Sequence, residues 1–214
     1  MVCSLNFFCA FLEAKTPEKR ASIVKQYKKG STGPAKGMMI YYKPALQLMR
    51  GRLCVDGSMD QKLAALRAAC VIDKWPDKLN DARIAANTLA YRAFYSEFGD
   101  KKLNIFSNPR LQCLLSTEVA VNLQPELFAE IDGITMMWKF GMSKKSRSEA
   151  TIRIVLQMLS RAIGHKGLRI PIHQVRFFDT RTGKTYVEHV PDADFERHLK
   201  PIAKALAEAW EKAA

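Results

Sequence analysis

Fixed positive charge at spacings that suit a run of phosphates is the plainest chemistry in this sequence. Ten basic residues between Lys15 and Arg52 stand against Glu18 alone, and eleven between Lys139 and Lys184 stand against Glu149 and Asp179. Each block therefore carries +9 of a total of +13, and the remainder of the chain is acidic at −5. Segregation of this kind costs self-repulsion, which a polyanion relieves, and counterion release from phosphates then drives binding. The side chains best placed for such contacts are Lys28, Lys29 and Lys36 in the first block and Lys144, Lys145, Arg147 and Arg153 in the second. The turn Lys144-Lys145-Ser146-Arg147 has a further merit. It stands before a helix start, where unpaired backbone N–H groups also favour anions.

Other catalytic patterns are not met. The segment Gly30–Gly37 (GSTGPAKG) resembles a phosphate-cradling loop, but Ala35 stands where a glycine is required and Gly37 where Ser or Thr is required. It also leads to Pro44 instead of opening a helix, so it reads as a basic loop. His165, His173, His189 and His198 lack metal-ligand spacing, and no nucleophile elbow or dinucleotide fingerprint occurs. Five cysteines (Cys3, Cys9, Cys54, Cys70, Cys113) form no CxxC pair and read as buried thiols in a reducing compartment. The apolar stretch Leu5–Leu12 is too short for a membrane span and reads as a buried element. A cytoplasmic protein with no membrane partner is expected.

Elements able to position these residues follow from periodicity and punctuation. Thr16-Pro17 opens a helix that runs to Gly30, Met38–Tyr42 reads as a short strand, and Ser58 or Asp60 caps a helix reaching about Lys74. A second long helix covers Asn80–Phe98, its stripe of Tyr91, Tyr95 and Phe98 reading as core. Strands are predicted over Leu114–Leu123, Leu127–Ile131 and Ile134–Met142, the last two joined by the hairpin pair Asp132-Gly133. Ser146 or Ser148 caps a helix ending at Gly164, Val175–Val190 forms a hairpin, and a helix from Asp192 or Asp194 reaches Trp210. The fold class is α+β: N-terminal helices, a central mostly antiparallel or mixed sheet with a helix between strands, and a C-terminal helix. Residues 1–110 form a helical region packed on an α/β core at 111–214, the whole making one compact unit.

Helices followed by strand, strand, strand, helix, strand resemble the core of the PD-(D/E)XK, or restriction-endonuclease-like, superfamily. The resemblance covers about residues 112–185 and rests on Pro125-Glu126, Glu130-Ile131-Asp132-Gly133 and Met137-Trp138-Lys139. It implies carboxylates around Mg²⁺, supplied here by Glu126, Glu130 and Asp132 with Glu118 as a further acid, and Lys139 beside the attacking water, with Lys139 and Glu130 the catalytic pair. Met137 occupies the place of the tripeptide's acid, and a thioether is a poor ligand for hard Mg²⁺. The structural alternative is that these acids form the solvated face of a hairpin.

Three functions therefore compete: a nucleic-acid-binding protein, on a nuclease-like fold without its full metal site; a divergent Mg²⁺-dependent nuclease; and a basic adaptor for an acidic protein partner.

Overall fold

One helix is buried between two sheets, and the rest of the chain is arranged around it. The computed structural model describes residues 1–29, 41–51, 57–142 and 146–213. Strand β1 (Val2–Ser4) leads directly into α1 (Leu5–Glu13), capped by the Ser4 hydroxyl, which accepts from the Phe7 N–H at 3.3 Å. Helix α2 (Pro17–Lys28) starts as its sequence dictates, with Pro17 in the first turn and the Thr16 hydroxyl accepting from the Lys19 N–H. Three helices follow: α3 (Lys43–Met49), α4 (Met59–Cys70) and α5 (Asp77–Phe98). Ser58 and Gln61 form a reciprocal capping box on α4.

Then come β2 (Leu103–Ile105), β3 (Leu111–Leu114), β4 (Ala120–Leu123), β5 (Leu127–Ile131) and β6 (Ile134–Gly141). Helix α6 (Glu149–His165) and a short 3₁₀ turn (Ile172–Gln174) precede β7 (Val175–Asp179) and β8 (Lys184–Val187), and α7 (Phe195–Lys212) follows. The larger sheet has the order β2-β5-β6-β7-β8, antiparallel except for the parallel pair β6–β7 that α6 connects. The smaller sheet is β1-β4-β3, with β1 parallel to β4. The chain is thus an α+β protein with two mixed sheets.

Alternation along β6 divides the core into two parts. Trp138 and Phe140 face α3, α4 and α5, joining Leu127, Ala129, Ile131 and Phe178 against Leu66, Tyr91, Phe94 and Phe98. Met137 faces the other way, with Val175 and Phe177, into a cluster built from α1, α6, α7 and the smaller sheet. Helix α6 accordingly buries Ile152, Val155, Leu156, Met158, Leu159 and Ile163, and its remaining face carries Glu149, Arg153 and Arg161. The backbone at Gly141 must stay bare, because a Cβ there would meet the Phe177 ring at 2.7 Å.

Several elements differ from the sequence expectation. The single strand expected over Leu114–Leu123 is two strands, because Ser116 Oγ accepts from the N–H groups of Glu118 and Val119 and folds the segment into a tight turn. Both strands belong to the smaller sheet. Of the strand expected at Met38–Tyr42, residues 38–40 lie outside the described residues, and Tyr41 and Tyr42 lead into α3. Helix α4 ends at Cys70 and α5 begins at Asp77. The Asp132-Gly133 hairpin forms with positive φ at both residues, 51° and 83°.

Candidate nucleic-acid interface and the Lys139 site

Strand β6 places Lys139 on the face shared with Met137 and Phe177, where the side chain is largely covered. Its Nζ donates to the Gln124 carbonyl at 3.0 Å and forms an ion pair with Glu126 Oε1. The second carboxylate oxygen of Glu126 accepts from the Phe140 N–H at 2.7 Å. The backbone of Glu126 is held as firmly, its N–H donating to Trp138 and its carbonyl accepting from Arg50 Nε and Asn108 Nδ2. With side-chain exposures of 11% and 14%, the pair is screened little by solvent.

The other carboxylates do not join it. Glu130 lies four residues further along β5, about 13 Å away at the rise of a strand, opposite Asn104 and Thr135. Asp132 sits in the hairpin turn, where its Oδ1 accepts from the Lys102 N–H. Glu118 belongs to the β3–β4 turn of the other sheet, its carbonyl accepting from the Met1 amino group. Among the described residues no three His, Cys, Asp or Glu side chains are grouped to hold a metal ion. Met137 is fully buried opposite Phe128, so the place of the missing acid is core. The donor set consequently does not fit a Mg²⁺ site of the kind the resemblance implies, and no catalytic step follows from it.

A cavity of about 20 Å³ adjoins Lys139, lined by Asn6, Cys9, Met142, Arg147, Val155 and Phe177 among others. It has room for about one water molecule and none for a substrate. Burial pushes the Cys9 thiol up to about 11, against the opposing pull of Arg147 and Lys139, so it stays protonated near neutrality. Arg147 itself reaches across to α1 and pairs with Glu13 at 2.9 Å.

Electrostatic commitments of this kind run through the second basic block. Arg153 pairs with Glu188, Arg161 with Glu196 and Lys184 with Glu149. The last pair holds the Glu149 carboxyl below the usual range and raises the Lys184 ammonium, in each case mainly through their mutual hydrogen bond. Ser148 caps α6 by accepting from the Thr151 N–H at 3.2 Å. Lys144 and Lys145, expected at this turn, lie outside the described residues, as does Lys36.

The first block is different. On α2, Ile23, Val24 and Tyr27 turn inward, and the opposite arc carries Lys19, Lys25 and Ser22 together with Glu18, with Lys29 at the C-cap. Lys15 stands just ahead of the helix. All four lysines are exposed, and none forms an ion pair with a described residue. Lys28, at the boundary of this arc, instead folds over the Trp210 ring, 5.1 Å from its centre, and donates to the Trp210 carbonyl. Trp210 in turn packs on Tyr27 and Phe7, which anchors α2 to α7. Sequence counting treated the two blocks as equal; the unpaired lysine row distinguishes them, and only the ion-pair geometry reveals it.

No protein-family model matches the chain, and comparison with curated proteins gives no match. No helix among the described residues is long and apolar enough to cross a membrane.

Proposed function

We propose that this protein binds nucleic acid through its phosphate backbone, with the exposed lysine row on and ahead of α2 as the principal contact. The observation that carries this reading is the contrast just described: four exposed lysines on and beside one helix without acidic partners, against a second block in which Lys139, Arg147, Arg153, Arg161 and Lys184 each pair with a carboxylate. Lys19 and Lys29 are ten residues apart, so the row extends about 15 Å along the helix axis, a length over which duplex DNA presents about nine charges. A rigid helix that keeps such charges unneutralised is expensive unless an anion completes it. Lys28 contributes by fastening the helix to α7, and Arg153 and Arg147 lie in ion pairs that a phosphate would have to displace.

The Lys139–Glu126 pair acts as a structural brace. Titration of a fluorescent duplex with the protein across a salt series tests the proposal. The association constant should fall steeply with salt, and a response that is flat would overturn it.

A further inference from the structure

A groove on the opposite core layer is lined by residues the lysine row does not use. Its floor is one face of α5, where Ala82, Ala86, Leu89 and Ala93 recur at helical spacing, and Leu89 is half exposed. One wall is Tyr41 and Tyr42 at the entrance to α3, and the other is the β7–β8 turn from Thr180 to Gly183. Two hollows of about 270 and 360 Å³, both bordered by Leu89 and Arg181, lie side by side in this open channel. Arg92 stands exposed within it and forms no ion pair with a described residue, while Glu97 is already committed to Lys101.

The turn wall is braced from beneath. Asp179 is almost wholly buried, its Oδ1 accepts from the Arg181 N–H at 2.9 Å, and its carbonyl accepts from the Gly183 N–H at 2.8 Å. Thr180 Oγ1 donates to the Gly141 carbonyl. The backbone that presents Arg181 and Thr182 is thereby fixed before any ligand arrives.

We infer that this channel takes the unpaired bases of a single-stranded nucleic acid. Three alanines and a half-exposed leucine make the floor apolar and leave it open to a ring as broad as a base. The Tyr41 ring supplies an aromatic partner for a base, and Arg92 on the rim matches a phosphate in charge and geometry. Each hollow has a volume near the lower end of ordinary ligand sites, which suits one nucleotide apiece. This rests on the nucleic-acid reading above and refines it by naming the strand state.

Fluorescence anisotropy of a labelled oligothymidine strand and of the matching duplex, measured with the full chain, separates the two claims. Tyr41→Ala should weaken strand binding by about 5- to 150-fold while leaving duplex binding unchanged. Arg92→Ala should lower the salt slope for the strand by about 0.7. If Tyr41→Ala does not fold, Leu89→Glu, at an exposed floor position, replaces it and should likewise weaken strand binding more than duplex binding. Strand binding unaffected by these substitutions overturns the channel and leaves the lysine row standing. Binding of duplex but no strand does the same, and binding of neither overturns both proposals.

Discussion

Replacing Lys19, Lys25 and Lys29 together by glutamine removes three charges from one face of α2 without touching its packing. Glutamine has nearly the helix propensity of lysine, and all three side chains are exposed, so the fold should be retained. If each lysine neutralises one phosphate, the slope of log affinity against log salt becomes shallower by about 2.7, at 0.9 per contact. Raising salt from about 50 to about 200 mM is a fourfold change, so each contact is worth about 3.5-fold over that interval and three are worth about 40-fold. The affinity ratio of native protein to variant should therefore shrink by about 40-fold between those two conditions. Anisotropy titrations of a labelled duplex at four or five salt concentrations measure it, with circular dichroism confirming equal helicity. A variant slope indistinguishable from the native one would refute the assignment of the row as the phosphate contact, whatever the absolute affinity.

Three further outcomes follow from the interior. Lys139→Met should cost about 3 kcal/mol by leaving the Glu126 carboxylate half-buried without its cation, and adding Glu126→Gln should recover most of the loss in a chemical-denaturation cycle. Additive losses would show that the pair is not a brace. Trp138→Ala, at a site packed edge-on against Phe98 and Phe178, should cost about 3–5 kcal/mol and lower Tm by about 6–20 °C in calorimetry. Burial raises the thiols of Cys3 to about 12 and of Cys9, Cys70 and Cys113 to about 11. These four should remain unmodified by a disulfide reagent at pH 8 and react only on unfolding. Prompt modification of any of them, located by mass spectrometry, would contradict the packing.

Local signals marked much of the fold in the sequence. Thr16-Pro17, Ser58, Ser148 and Asp132-Gly133 each bring their own hydrogen-bonding partner or backbone preference within three residues, so α2, α4, α6 and the β5–β6 hairpin are announced where they begin. The smaller sheet was illegible because its pairing is remote: β1 aligns Val2 with Ala120, and the Ser116 turn that separates β3 from β4 contains neither glycine nor proline. The candidate site divides in the same way. Period-two alternation correctly sets Lys139 and Met137 on one face of β6. Neutralisation of Arg147 by Glu13 depends on residues 134 apart in the chain. Net charge by block could not anticipate it, nor could it show that the α2 lysines stay unpaired.

The parallel pairing of β1 with β4 sets a schedule for synthesis. Strand β1 and the apolar face of α1, with Phe7, Phe8 and Phe11, have no sheet to join until Ala120–Leu123 has left the ribosome. At about 5–20 residues per second, that interval is on the order of ten seconds. Tyr27 and Phe7 wait longer still, because Trp210 completes their enclosure. Throughout, the nascent chain displays a phenylalanine-rich helix beside a bare strand edge, which makes these first residues a natural binding site for a chaperone and a seed for aggregation when translation stalls midway.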